Sequence, residues 1–256
     1  MKNKNLNLRK NLAGFVFLAS FSVNAQDVPV ATGEYAPDWD NLGKWECPEW
    51  YQDVKFGIWA HWDPQCQAAG GDWYARGMYF KGSGNYNWHV SHFGDPCVPN
   101  TDFGYKDLCN AWKAEKWDPE HLIGLYHGMG ARYFFAMGQH HDNFDCWDSP
   151  YQPWNSVNIG PKRDVVGEWA KACEKYGMPL GVSMHGSHAW SWFEIAQPYD
   201  GNMTKEDGKG KWWEGYDPQD LYAQRHPHSS GWQDAGAIHG QWAWGNGVSL
   251  PSEEYK

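Results

Sequence analysis

Two adjacent histidines follow an apolar run near the middle of the chain. His140 and His141 come after residues 131–138, ARYFFAMG, and directly before Asp142. A short apolar run of this kind is typical of a strand buried in a parallel sheet. In barrels of parallel strands the chemistry takes place at the carboxyl ends of the strands, where loops project side chains from a rigid base. The pair therefore predicts a site for a polar ligand.

Other histidines hold similar positions. Residues 55–63 read KFGIWAHWD, an apolar run that ends in His61. His185 follows residues 178–184, and His188 comes three positions later. We expect His61 to lie on the same rim as the adjacent pair. His185 and His188 either join them there or are solvated loop residues.

The histidine pair admits three interpretations. A neutral imidazole offers one hydrogen-bond donor and one acceptor, which suits a ligand rich in hydroxyl groups. Two or three imidazoles with a carboxylate such as Asp63 or Asp142 would also be enough to hold a metal ion. However, adjacent residues of a strand face opposite sides, so His140 and His141 can share one ion only if the strand has already ended. In the third interpretation, one of the pair is buried against the next strand.

Asp72 and Trp73 offer a second kind of contact for a sugar. They lie between Gly71 and Tyr74, in the long segment that follows the run ending in His61. A carboxylate accepts hydrogen bonds from two hydroxyl groups, and an indole presents a flat apolar face that matches the C–H face of a pyranose ring. The two residues are therefore predicted to contact a sugar.

The surrounding sequence alternates between predicted helices and strands. Asp118 is predicted to cap a helix that begins at Pro119 and stops at Gly130, and Gly177 is predicted to stop a helix over residues 163–176. Helices that alternate with short apolar strands favour an α/β fold with a parallel sheet and crossover helices. The predicted strands are residues 54–62, 131–138 and 178–184.

Two long segments show no such periodicity and are predicted to be functional loops. One lies between the first strand and Asp118, and the other begins after His185. The chain contains 19 Trp, and those in the second segment are interpreted as stacking surfaces, because core strands are not expected in Gly-rich polar sequence. These residues are Trp190, Trp192, Trp212, Trp213, Trp232, Trp242 and Trp244.

Residues 1–25 have the pattern of a secretory signal peptide. Basic residues precede an apolar stretch, and Val23-Asn24-Ala25 supplies the small residue before a cleavage site. The stretch is too short to span a bilayer, and no later run reaches the required length. We therefore predict a secreted or periplasmic protein with no membrane span, whose mature chain is residues 26–256.

Charge and cysteine content narrow the possible partners. The formal charge is −10, and it becomes −14 without residues 1–25, which carry four basic and no acidic residues. Such an acidic surface repels nucleic acids and anionic lipids, so a neutral ligand is favoured. The six cysteines are compatible with disulfides or with buried thiols, and none has the paired short spacing of a zinc site. No cofactor is predicted, and a metal ion enters only through the alternative interpretation of the histidines.

Several short motifs together resemble the α-L-fucosidases of glycoside hydrolase family 29. Their order and spacing match from about Trp50 to Trp190, which makes the joint match specific. The motifs are KFGIWAHWD at residues 55–63, Asp72-Trp73-Tyr74, Phe103, Trp117-Asp118-Pro119, Gly130-Ala131-Arg132-Tyr133, Gln139-His140-His141-Asp142-Asn143-Phe144, Trp147, Ser149, Trp154-Asn155, Arg163-Asp164 and Gly181.

The resemblance implies a retaining exo-glycosidase with a (β/α)8-like TIM-type barrel. In such enzymes one carboxylate attacks the anomeric carbon and a second carboxyl group protonates the leaving group. The implied substrate is a fucosylated oligosaccharide or glycoconjugate. The residues carried over as contacts of the sugar are His61, Asp72, Trp73, His140 and His141.

The chain also departs from the family pattern. Asp63 and Asn143 each replace a usual Gly, and Asp72 replaces Glu. Ser183-Met184-His185 stands where the family usually has Tyr-Tyr-Ser, which affects one contact of the pocket. These differences are interpreted as an altered preference among fucose-like sugars.

Only three strand–helix units are visible, whereas a closed barrel needs roughly 250 residues of α/β pattern. We therefore expect a truncated N-terminal portion of the barrel, with the nucleophile and the acid/base beyond Lys256. No catalytic role is assigned to Asp142, Asp145, Glu194 or Asp200. A carbohydrate-binding pseudoenzyme and a metal-dependent carbohydrate hydrolase remain as alternatives.

The first testable prediction concerns export. Protein recovered after secretion should begin at Gln26, because the signal peptide is removed after Ala25. Amino-terminal sequencing of the exported protein checks this, and material that still begins with Met1 would contradict it.

Overall fold

The structure, a computed structural model, describes residues 34–36, 38–186 and 189–225. The chain forms two units, Met1–Trp45 and Glu46–Lys256. The described part of the first unit contains one short helix, α1, Trp39–Leu42, whose first turn is capped by the Asp38 carboxylate. The predicted signal peptide, His188, Trp232, Trp242 and Trp244 lie outside the described residues.

The second unit contains a three-stranded parallel sheet in the order β1-β2-β3. Phe134 in β2 lies opposite Ile58 in β1 and Leu180 in β3. The parallel α/β sheet predicted from the sequence is therefore confirmed, whereas its closure into a barrel stays a prediction. The strands are β1, Ile58–Ala60; β2, Phe134–Gln139; and β3, Leu180–Met184.

The first predicted strand is shorter than expected. Val54 ends helix α2, Glu49–Val54, which sequence reasoning missed. Lys55 then adopts a positive φ of 56°, which separates the helix from β1. The predicted strand included these residues because the prediction relied on their apolar character. A short apolar run does not by itself distinguish the end of a helix from a strand.

The two predicted crossover helices are confirmed. In α6, Pro119–Gly128, the Asp118 carboxylate accepts a hydrogen bond from the backbone N–H of His121. Helix α7, Val165–Lys175, is capped in the same way by Asp164. Gly130 and Gly177 follow the helices with positive φ values, 101° and 60°, which glycine adopts without steric cost.

Both helices cover one face of the sheet. Helix α7 packs against β2, β3 and α6. The ring of Phe134, which is fully buried, lies 4.6 Å from the ring of Trp169 and 6.0 Å from that of Tyr126. Aromatic burial on this scale is the main stabilising contribution to such a layer, and it holds the sheet rigid beneath its carboxyl edge.

The two long segments predicted to be loops are in fact folded. A buried ion pair joins them, because Lys106 Nζ lies 3.0 Å from Asp200 Oδ1 and both side chains are fully buried. The α-helices in these segments are α3, Tyr74–Gly77; α4, Gly84–His92; α5, Tyr105–Ala111; α8, Ala189–Trp192; and α9, Pro218–Leu221. Short 3-10 helices span Pro64–Ala68, Glu194–Ala196, Asp200–Asn202 and Lys205–Gly208.

The interpretation of the late tryptophans as surface residues is largely wrong. Trp190, Trp192 and Trp213 are buried, and only Trp212 among the described members is exposed. The ordered helices and turns around them give the indoles a core to fill, which their Gly-rich sequence did not reveal.

All six cysteines lie in the described ranges and are free thiols. Of the alternatives left open by the sequence, the structure therefore has thiols rather than disulfides. Within the same ranges, no helix combines the length and the apolar character that crossing a bilayer requires.

The second prediction tests a close approach between backbones. Gly160 has a φ of 72°, and a Cβ added there would lie 2.5 Å from the Cys109 carbonyl oxygen. Gly160→Ala should lower the free energy of unfolding by about 2 kcal/mol or more, since the backbone cannot move aside. Gly128→Ala, at a helix position with no atom within 4 Å, should be neutral or stabilising by up to about 1 kcal/mol. Urea unfolding measures both, and equal effects would contradict the packing described.

Candidate functional site

Each strand of the sheet delivers one histidine to the same edge. His61, His140 and His185 are the first residues after β1, β2 and β3. The ring centroids of His61 and His140 are 4.8 Å apart, and those of His140 and His185 are 5.0 Å apart. Parallel pairing in register brings these residues together, as the sequence predicted for His61 and His140. His185 belongs to the cluster and is not a solvated loop residue.

His141 joins this histidine cluster from the turn that follows β2. Because the strand ends at Gln139, the alternation of faces no longer applies. The rings of His140 and His141 are 4.6 Å apart, and those of His141 and His185 are 5.1 Å apart. The Nδ1–H of His141 donates to the backbone carbonyl of His185 over 3.0 Å, which places the proton on that nitrogen and the lone pair on Nε2.

Asp72 lies beside the cluster, as the sequence predicted. Its Oδ1 is 3.5 Å from His61 Nε2 and 3.8 Å from His140 Nε2, and its side chain is 61% exposed. An exposed carboxylate beside the partly exposed His61 and the buried His140 leaves its oxygens accessible to an incoming ligand. Asp72 therefore supplies hydrogen-bond acceptors beside imidazoles that can donate or accept.

Trp73 and Trp192 form an aromatic wall at the same place. Trp73 has a φ of 57°, a left-handed conformation that is unusual outside glycine. Its ring lies 5.7 Å from that of Trp192, whose ring is 4.7 Å from His141. Sequence reasoning placed Trp73 in the site but assigned Trp192 to an exposed surface.

Arg76 holds Trp192 in position. Its Nη1 donates to the carbonyl oxygens of Ser191 and Trp192 over 2.8 and 2.7 Å, and its guanidinium lies 5.8 Å from the centre of the Trp192 ring. Burial lowers the pKa of Arg76 to about 10, and the charge of Glu194 opposes that shift. No sequence motif marked Arg76, because its partners are carbonyl groups more than a hundred residues away.

Two carboxyl groups lie buried behind the imidazoles. Asp63 and Asp142 are 1% and 0% exposed. Burial raises the pKa of Asp63 to about 6, and burial followed by the charge of Asp63 raises the pKa of Asp142 well above its usual range. The Tyr105 hydroxyl donates to Asp142 Oδ2. Both carboxyl groups are shielded from bulk solvent, and the absence of a catalytic role for Asp142 stays a prediction.

His140 is neutral in this setting. Desolvation lowers its pKa to about 2, and the positive charges that His141, His61 and His185 can carry add to the shift. Its ring is 1% exposed, and its Nδ1 lies 2.7 Å from Nε2 of Gln65. Sequence reasoning did not single out Gln65, although the Asp63-Pro64 cap directly before it marks the start of a short helix next to the rim.

Three overlapping groups have metal-ligand spacing within the described residues. In each, the ligand atoms lie within 4.8 Å of one another, and each includes His140. Whether His140 binds a metal ion or donates a hydrogen bond to a ligand hydroxyl group therefore depends on which of its ring nitrogens carries the proton. The groups are His140, His141 and His185; His61, Asp72 and His140; and Asp63, His140 and Asp142.

Asn143, one of the departures from the family pattern, has a structural explanation. Its φ of 58° lies in the left-handed region, which glycine and asparagine tolerate best. Its Nδ2 also donates to the backbone carbonyl of Asp220 over 2.8 Å. The substitution therefore keeps the turn after the histidine pair and ties it to helix α9.

A cavity of about 490 Å³ opens at the cluster, with His61, Gln65 and Asp72 in its lining. Its volume is in the range of small-molecule sites, about 300–1000 Å³. His61 also borders a cavity of about 630 Å³ lined mainly by aromatic residues such as Trp62 and Trp117. The first cavity is the better ligand site, because it contains the carboxylate nearest to the imidazoles.

Comparison with known proteins identifies the relatives of this chain. The sequence profile of the α-L-fucosidase family matches residues 22–248. A tissue α-L-fucosidase of Rattus norvegicus is 30% identical over 69% of this chain and 37% of its own length, and a putative α-L-fucosidase of Caenorhabditis elegans is 34% identical over 70% and 35%. The chain thus spans little more than a third of the length of these relatives.

Solved structures of fucosidases and of a fucosynthase also resemble this chain. A Thermotoga maritima α-fucosidase in complex with fucose is 25% identical, with a TM-score of 0.53, over 82% of this chain and 52% of the other. An α-L-fucosynthase of the same organism is 33% identical, with a TM-score of 0.53, over 58% of this chain and 38% of the other.

The third prediction concerns the support of the aromatic wall. Arg76→Met should lower the free energy of unfolding by about 3–5 kcal/mol, because it leaves two buried carbonyls and the Glu194 charge without their cation. The exposed Arg132→Met is the matched control and should change stability by less than about 0.5 kcal/mol. Urea unfolding measures both variants. If Arg76→Met costs no more than the control, the buried guanidinium does not hold Trp192.

Proposed function

Because the chain belongs to the α-L-fucosidase family, we propose that its histidine cluster binds the terminal fucose of a fucosylated oligosaccharide or glycoconjugate. The observation that carries this proposal is the convergence of His61, His140 and His141 with Asp72 and Trp73 at one edge of the sheet. Five residues from three separate parts of the sequence meet there, all of types that recognise sugars.

The chemistry of the cluster fits a neutral, hydroxyl-rich ligand. Imidazole nitrogens can donate or accept hydrogen bonds, and the buried His140 does so without a charge that a sugar would have to neutralise. The exposed oxygens of Asp72 accept hydrogen bonds from hydroxyl groups, and Trp73, which the buried Trp192 supports from behind, supplies an apolar surface for C–H groups. Hydrogen bonds at a site so shielded from water are stronger than at the surface.

We further propose that this unit contributes to a (β/α)8-like barrel of an exo-acting, retaining enzyme. The parallel sheet with its helices on one face supports the barrel, and the family supports the reaction. A retaining mechanism needs two carboxyl groups of the enzyme, about 5 Å apart, on either side of the glycosidic bond. Asp63 and Asp142 are buried behind His140, so neither role is assigned to them.

A metal-dependent carbohydrate hydrolase is the second candidate, favoured by the three ligand-spaced groups around His140. From the signal-peptide pattern of residues 1–25 we also propose that the protein is exported to the periplasm or secreted. Both candidate functions are compatible with that location. The two functions differ in their response to chelation.

The fourth prediction tests the sugar site directly. His61→Ala, His140→Ala and His141→Ala should each weaken fucose binding by about 10- to 100-fold, since each removes a hydrogen bond and leaves a partner unsatisfied. Isothermal titration with L-fucose measures the effect. His121→Ala is the control, because His121 is exposed on α6, away from the cluster. It should bind fucose like the unaltered chain.

Further measurements distinguish the candidate functions. If the protein hydrolyses 4-nitrophenyl α-L-fucoside by a retaining mechanism, proton NMR should show that the first sugar product has the α configuration. A variant that binds fucose normally but loses several degrees of melting temperature has lost a structural histidine. Activity that disappears with a chelator and returns with zinc would favour the metal-dependent hydrolase.

A further inference from the structure

Gln65 makes a buried contact with the histidine cluster. It lies in the 3-10 helix Pro64–Ala68 and is 3% exposed. Its Nε2 is 2.7 Å from His140 Nδ1, across 75 positions of sequence. A short contact between two buried polar groups fixes the proton on one side or the other, because neither group can turn to water instead.

The surroundings of Gln65 fix the orientation of its amide. Oε1 accepts the backbone N–H of Ala75 over 3.2 Å, and Nε2 donates to Asp63 Oδ2 over 3.3 Å. Asp63 Oδ1 accepts the backbone N–H of Gln65 itself over 3.0 Å. A rotated amide would place its NH2 group against the N–H of Ala75 and its oxygen against a carboxylate. Both contacts would be repulsive, so Nε2 faces His140.

An amide nitrogen only donates, so Nδ1 of His140 must accept. We propose that Gln65, held by Asp63, is a positioning residue that fixes His140 as the tautomer with its proton on Nε2. That proton then points to the side of the ring where Asp72 Oδ1 lies, 3.8 Å away. The inference deepens the proposed function and rests on it only for the identity of the ligand.

The tautomer determines what His140 can do. With its proton on Nε2, the ring donates a hydrogen bond to a ligand oxygen. A metal-bound histidine instead gives its other N–H to an acceptor such as a carboxylate or a carbonyl group. His140 has an amide donor in that place, so Gln65 commits it to hydroxyl recognition and against metal binding. Asp63, a departure from the family pattern, acquires a role as the residue that orients Gln65.

Nitrogen-15 NMR of histidine-labelled protein tests the tautomer without any ligand, with the His140 signals assigned by their loss in His140→Asn. In the unaltered chain, Nε2 should be protonated and Nδ1 unprotonated between pH 5 and pH 8. A protonated Nδ1 would overturn the proposal. This measurement does not depend on whether fucose binds, so a failure of sugar binding leaves the tautomer result intact and contradicts only the proposed function.

Gln65→Glu replaces the donor by an acceptor of the same shape. His140 should then become protonated at Nδ1, and zinc should shift its signals at concentrations at least about 10-fold lower than in the unaltered chain, because the ring gains a carboxylate partner. Gln67→Glu, an exposed position on the same turn, adds the same charge and should change neither property.

A third variant covers the case in which a second buried carboxylate prevents folding. Gln65→Met keeps about the same side-chain volume and removes the hydrogen bonds of the side chain to His140, Asp63 and Ala75 without adding a charge. His140 should then populate both tautomers, and fucose binding should weaken by about 10-fold. Unchanged His140 signals in Gln65→Met would show that another contact sets the tautomer and would overturn the proposal.

Discussion

The pairing of β2 with a parallel strand on each side determines where the histidines of the site lie. Because β1, β2 and β3 run in the same direction, the residues that follow them emerge at one edge. His61, His140 and His185 are those residues, and the short strands leave them no freedom to shift along the sheet. A slip of one position would turn each histidine to the opposite face.

Gathering imidazoles and carboxylates at one buried edge has an electrostatic cost. The pKa of His140 falls to about 2 and that of Asp63 rises to about 6, chiefly because water is excluded from both. Hydrogen bonds offset part of this cost. Gln65 donates to both Asp63 and His140, and the His141 Nδ1–H donates to the carbonyl of His185. The result is a neutral, buried His140 close to one exposed carboxylate, Asp72.

The remainder of the site comes from segments that carry no strand of the sheet. Helix α3 provides Arg76, and helix α8 ends in Trp192, which Arg76 holds against the histidines. Deeper in the molecule, the buried pair of Lys106 and Asp200 joins the same two segments. A buried pair of this kind is costly to break, because either partner alone would be an unpaired charge. The aromatic wall is thus as fixed as the imidazoles it faces.

The sequence by itself determined the elements whose signals are local. Caps at Asp118, stops at Gly130 and Gly177, and apolar runs ending in histidine were sufficient to predict two helices, a parallel sheet and a shared rim, because each depends on residues a few positions apart.

Only the tertiary structure decided how those residues act. In the tertiary structure the segments predicted to be loops contain helices, and most of the described tryptophans after His185 are buried. Trp192, Arg76 and Gln65 reach the cluster from distant positions in the sequence. The proton on His140 depends on an amide 75 positions away. No local pattern encodes such a contact, since desolvation and hydrogen-bond partners arise only when distant segments pack together.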